Sequence, residues 1–138
     1  MERERPYRQG LEQLRAAKLR PTRQRMALAK LLFDGENRHV TAEMLHGEAV
    51  QARVQVSLAT VYNTLHQFTD AGLLREIVVE PGRSYFDTNM SAHHHFFQED
   101  TSQLVDIDGA QIDIGTLPEP PAGTSVNRVD VIVRVQRN

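Results

Sequence analysis

Three consecutive histidines, His93, His94 and His95, run directly into Phe96 and Phe97. Imidazole nitrogen binds Fe(II), Mn(II) and Zn(II), and carboxylate oxygen favours the harder Mn and Fe ions, so the chemistry on offer is metal ligation by His with Asp or Glu. Carboxylates are plentiful nearby, although Glu99, Asp100, Asp108 and Asp113 also fit a solvated acidic face. The two phenylalanines create apolar surface of the kind a porphyrin lies against, which opens a second chemistry, haem held by an axial histidine. Neighbours on a strand point to opposite faces, so His93, His94 and His95 all stay open as haem-binding residues. The chain has no cysteine, which excludes disulfides, a thiolate zinc site, thiol redox sensing and thiolate haem ligation.

The net charge of -2 over 138 residues hides an asymmetry. Residues 1–85 hold 13 Lys and Arg against 10 Asp and Glu, whereas residues 86–138 hold 3 against 8. Arg3, Arg5, Arg8, Arg15, Lys18, Arg20, Arg23, Arg25 and Lys30 all precede the first aspartate. A basic first part suits phosphate contacts and an acidic second part suits a cation. There is no long apolar run, and the charged start Met1-Glu2-Arg3-Glu4-Arg5 is unlike a secretory signal, so a cytoplasmic protein without a membrane partner is expected.

The elements that must position these residues are legible from periodicity and punctuation. Leu11 and Leu14 recur at helical spacing over 7–18 before Pro21. Thr22 caps a second helix to about Phe33, Thr41 a third carrying Ala42, Leu45 and Ala49, and Ser57 a fourth with Val61, Leu65 and Phe68 inward and Gly72 as its stop. Residues 73–79 and 84–86 flank Glu80-Pro81-Gly82-Arg83 as a β-hairpin. Helices followed by a hairpin describe a winged helix-turn-helix over residues 1–88. Residues 89–138 form a small α/β unit with strands at 93–98 and 103–107, a short helix at 109–117 and a last strand over 127–136. Val129, Val131, Val133 and Val135 alternate along that last strand. So short a unit covers its apolar face best by pairing with a second copy, and the fold class expected is α+β with a C-terminal dimerisation domain.

A helix that enters the major groove needs small or hydrogen-bonding side chains on its first turns. Ser57, Ala59, Thr60, Tyr62 and Asn63 meet that need, and Arg20 is placed to enter a narrow minor groove. The competing reading makes the same helix a core element with a polar exterior.

Ser57-Leu58-Ala59-Thr60-Val61-Tyr62-Asn63-Thr64-Leu65, followed by Phe68, Asp70, Ala71 and Gly72, closely resembles the recognition helix of the ferric uptake regulator family. Leu19-Arg20-Pro21-Thr22-Arg23-Gln24-Arg25 resembles that family's opening motif, and His39-Val40-Thr41-Ala42-Glu43 its third-helix entry. With the triple histidine, the likeness covers most of residues 10–107. The resemblance implies a homodimer on an A/T-rich palindromic operator in double-stranded DNA, and a sensing site of His39, Asp87, His95 and Asp106 for Fe or Mn, with Zn also possible. Phe97 stands where the family commonly has a further histidine. A second family site, at His94, Phe96 and Arg128, looks dismantled. The run from His93 to Phe97 is similar to the iron-response regulator (Irr) branch, which implies haem sensing without the Cys-Pro motif that some members carry.

The expected function is therefore iron- or haem-responsive transcription regulation, not enzymatic. Within the same class stands a Mn(II)- or Fe(II)-dependent or peroxide-sensing repressor. A metal-dependent hydrolase and a histidine-rich metal store are the readings from other classes.

Overall fold

The structure, a computed structural model, describes residues 8–138, so the expected helix start at Tyr7 and the basic residues Arg3 and Arg5 lie outside the described residues. The chain divides into two compact units, Met1–Met90 and Ser91–Asn138.

The first unit begins with α1 (Arg8–Ala16), α2 (Arg23–Phe33), β1 (His39–Val40), α3 (Ala42–Gln51) and α4 (Leu58–Asp70), and it closes with the hairpin β2 (Arg75–Glu80) and β3 (Arg83–Asp87). Hydroxyls start three of the helices: Thr22, Thr41 and Ser57 accept from the backbone N–H of Arg25, Met44 and Thr60 at 3.1–3.2 Å. Three helices also stop alike, each on a residue of positive φ: Lys18 (61°), Arg53 (59°) and Gly72 (82°). At each stop the next residue's N–H reaches back five residues, as from Leu19 to the Leu14 carbonyl at 2.8 Å. That closure at Lys18 is why α1 ends at Ala16, short of the expected 7–18. The core gathers Leu14, Leu28, Leu32, Leu45, Leu65 and Phe68 from the helices with Val40 and Phe86 from the strands and Leu74 from just before β2. Gly10 lies where α1 packs on α2, and a Cβ there would meet that of Ala29 at 3.4 Å, an ordinary van der Waals contact.

The strands form an antiparallel sheet in the order β1-β3-β2. Val40 and Phe86 are register partners, and both belong to the helical core. The opposite face therefore carries His39 beside Asp87, and Asp87 beside Arg75 on its other flank. β1 was not expected: two residues are too few to show alternation, and only the β3 edge makes them a strand.

In the second unit β4 (His93–Gln98) lies between antiparallel β5 (Gln103–Asp108) and parallel β6 (Ile132–Val135). The expected helix over 109–117 is instead a single 3-10 turn, Gly109–Gln111. Local side-chain bonds compete with helix there: Asp108 accepts from Ala110 N–H at 3.0 Å and Asp113 from Gly115 N–H at 2.9 Å, while Gly115 adopts φ 70°. β6 is also shorter than the expected 127–136. The Val131 N–H donates to the His94 ring rather than into the ladder, which fixes where the strand begins.

Candidate functional site

Alternation along β4 sorts the three histidines. His93, His95 and Phe97 share one face, and His94 and Phe96 share the other. His95 lies directly across from Asp106 on β5, with His95 Nε2 3.2 Å from Asp106 Oδ1. His93 Nε2 is 3.7 Å from the same oxygen, and the two rings meet edge to face at 4.6 Å. Each of the three residues thus offers a ligand atom, and those atoms lie within 4.8 Å of one another. Both imidazoles are buried, at 5% and 2% exposure, whereas the Asp106 side chain is half exposed.

Tautomers decide which rings can act as ligands. His93 Nδ1 is 2.7 Å from the Ser91 carbonyl. A carbonyl only accepts, so Nδ1 carries the proton and Nε2 keeps its lone pair aimed at the cluster. His94 is arranged the other way: its Nδ1 accepts the Val131 N–H at 3.1 Å. In the neutral ring that bond puts the proton on Nε2, which leaves His94 without a free lone pair. His94 was a haem-binding candidate; its geometry assigns it to holding β4 and β6 together. His93, absent from the set implied by family resemblance, joins His95 instead, and the signal for it was the two-residue spacing on a strand.

The other two expected ligands belong to the first unit. His39 and Asp87 are register partners on one face of its sheet, and the His39 ring meets Tyr85 edge-on at 5.9 Å. Asp87 is 1% exposed and accepts the Asn89 N–H at 2.8 Å. Arg75, buried at 6% exposure and in register with Asp87, was not singled out from sequence, because an arginine beginning a hairpin reads as a solvated charge. Arg38 secures this region. Its N–H donates to Thr88 Oγ1 and its carbonyl accepts the Thr88 N–H, both at 2.9 Å, and its guanidinium forks onto the Glu48 carboxylate, with Nη1 2.8 Å from Oε1. That hydrogen bond, against a smaller opposing effect of burial, holds the guanidinium pKa above its ordinary value.

The candidate DNA-contacting residues differ in exposure. Arg20, Ser57, Ala59 and Asn63 are exposed, and Thr60 and Tyr62 are half-buried. The Tyr62 ring packs on the His66 ring at 5.5 Å, and His66 in turn meets Phe86 edge-on at 5.5 Å.

Two imidazole nitrogens and a carboxylate suit Mn(II), Fe(II) or Zn(II), so the donor set fits a divalent metal. Fold and site together define an α+β protein in which a helix-and-hairpin unit precedes a three-stranded sheet that gathers two imidazoles and a carboxylate. Residues 16–117 match the model of the Ferric uptake regulator family, and the chain belongs to that family. It is 33% identical over 101 residues to the Ferric uptake regulation protein of Shigella flexneri, covering 72% of this chain and 68% of that one. With the Peroxide-responsive repressor PerR of Staphylococcus epidermidis it shares 31% over 105 residues, 76% and 69% of the two chains. The solved structure of the ferric uptake regulator from Pseudomonas aeruginosa with manganese superposes with a TM-score of 0.71 at 27% identity, covering 93% of this chain and 97% of that one.

Proposed function

We propose that this protein is a metal-responsive transcription regulator that binds an A/T-rich palindromic operator as a homodimer. The observation that carries the reading is the convergence of His93 Nε2, His95 Nε2 and the Asp106 carboxylate in a chain whose Ser57-capped helix exposes Ala59 and Asn63. His93, His95 and Asp106 hold the cation, while His39 and Asp87, the other two expected ligands, stand together on the sheet of the first unit. The bound metal contributes charge and a fixed coordination geometry. It shifts operator affinity only as far as it binds one geometry of the dimer better than another.

A manganous or ferrous ion is the ligand favoured over haem. Carboxylate belongs to the hard-ion donor set, and the fixed tautomer of His94 removes one of three candidate axial ligands. The Irr-like haem reading rests on the family likeness of residues 93–97 and on the apolar surface of Phe96 and Phe97. A divalent cation is also what the manganese-bound Pseudomonas relative carries. The hydrolase reading has against it the names of the relatives, a regulation protein and a repressor.

Dimer formation is supported by an apolar stripe across the second sheet. Val105, Phe96 and Val133 are register neighbours on β5, β4 and β6, and they are 49%, 39% and 36% exposed. Three adjacent apolar side chains on one face are an association surface.

The deciding experiment measures operator binding and mass by sedimentation for apo, Mn(II)-loaded and haem-loaded protein at one stated salt concentration. The reading expects a dimer whose operator affinity rises or falls with Mn(II). A monomer indifferent to DNA in all three states overturns it, and a response to haem alone restores the haem version.

A further inference from the structure

Arg25 ties together the two parts of the first unit that reach toward DNA. Thr22 caps α2 and thereby sets Arg25 on its first turn. From there its guanidinium spans two partners: Nε and Nη2 both donate to Gln67 Oε1 on α4, at 3.2 and 2.9 Å, and Nη1 donates to the Arg20 carbonyl at 2.9 Å. The neighbouring Gln24 extends the same link to the other end of α4, since its Nε2 donates at 3.4 Å to the Gln55 carbonyl just before the Ser57 cap. Between these ties lies a hollow of about 380 Å³ whose walls include Arg20, Arg25, Thr60, Asn63 and Gln67.

Resting on the DNA-binding reading above, we propose that Arg25 is a positioning residue that fixes the Arg20 segment against the recognition helix. A side chain aimed at the minor groove and a helix aimed at the adjacent major groove then meet one duplex in a single register. Three of the five guanidinium N–H donors are spent inside the protein, which is the arrangement of a strut rather than of a phosphate contact. The planar fork reaches the Gln67 amide oxygen and the Arg20 carbonyl from three separate nitrogens, whereas an ammonium has one. Lysine keeps the charge and loses the bridge.

The test uses full-length Mn(II)-loaded protein and the duplex that the wild type enriches from a randomised pool, with a shuffled duplex as reference. Arg25→Lys and Gln67→Met, the latter similar in volume but without an acceptor, are each expected to lose about tenfold in selected-over-shuffled affinity, and the double variant no more than either alone. Affinity for the shuffled duplex and its salt dependence stay as in the wild type, and circular dichroism and Mn(II) titration confirm that each variant is folded. If Arg25→Lys binds as the wild type does, while Arg25→Ala lowers the salt slope by about one, Arg25 is a phosphate contact and the inference is overturned. Additive losses overturn it too, because Gln67 then acts by itself. Failure of the wild type to enrich any sequence is a separate result, and it removes the DNA-binding reading itself.

Discussion

His95 and Asp106 are direct cross-strand neighbours, and His95 Nε2 stands 3.2 Å from Asp106 Oδ1. The ladder between β4 and β5 therefore sets the spacing of this imidazole and carboxylate before any cation arrives. His93 reaches the same oxygen from two residues earlier, with its ring fixed by the Ser91 carbonyl. A site assembled on paired strands is held more tightly than one on loops, which lowers the ordering cost of ligation.

Removing either partner is expected to weaken metal binding without disturbing the sheet. Asp106→Asn keeps the shape and removes the charge; His95→Ala removes the nitrogen. Each lowers Mn(II) affinity by at least the roughly 10–100-fold that loss of a supporting partner costs a metal site. Titration by calorimetry, with circular dichroism as the check on folding, reads the effect. Wild-type affinity in both variants would move the site elsewhere.

His94 is expected to behave in the opposite sense. His94→Ala takes the acceptor from the Val131 N–H, and a polar group left without its partner costs about 1–3 kcal/mol. Thermal unfolding of the metal-free protein should drop accordingly while Mn(II) affinity holds. An unchanged melting temperature together with lost Mn(II) binding would make His94 a ligand and contradict the tautomer argument.

The helices were legible because their punctuation is local: Thr22, Thr41 and Ser57 each announce a start that depends on the next three residues alone. The strand pair at 93–98 and 103–108 was legible for the same reason. What sequence concealed depends on partners far along the chain. β1 exists only because His39 and Val40 meet Asp87 and Phe86, and the start of β6 is set by a ring 37 residues away. The helix expected over 109–117 failed because Asp108 and Asp113 bond their own backbone. Of the ligand candidates, Asp106 was found by resemblance, whereas the separate roles of His93 and His94 follow from which backbone group each ring meets.

The Arg38–Glu48 pair gives a pH prediction. The hydrogen bond that Arg38 donates to Glu48 raises an arginine pKa that is already high, so the guanidinium's share of the stabilisation is complete below the unfolded value and lost only as pH climbs through the raised one. Glu48→Gln is expected to lower stability by up to about 1 kcal/mol, the range for partly exposed pairs. The deficit should be the same in urea unfolding at pH 7 and pH 10. A deficit that shrinks over that interval would show that the arginine charge is not what the carboxylate holds.

Tyr62 separates a DNA-reading helix from one that is merely structural. Its ring is half-buried against His66, one helical turn on, and Tyr62 is not among the candidate metal ligands. Tyr62→Ala should therefore leave Mn(II) affinity and the dimer intact. If the ring packs on a base and its hydroxyl meets a phosphate, operator affinity falls by about 1–3 kcal/mol, or roughly 5- to 150-fold. Tyr62→Phe keeps the stacking surface and should lose only the smaller part that the hydroxyl contributes. Fluorescence anisotropy on the selected duplex, read beside the Mn(II) titration of the same samples, checks both halves. A metal store or a hydrolase would show no change in either variant, and that result would leave the outward face of α4 without a role in DNA recognition.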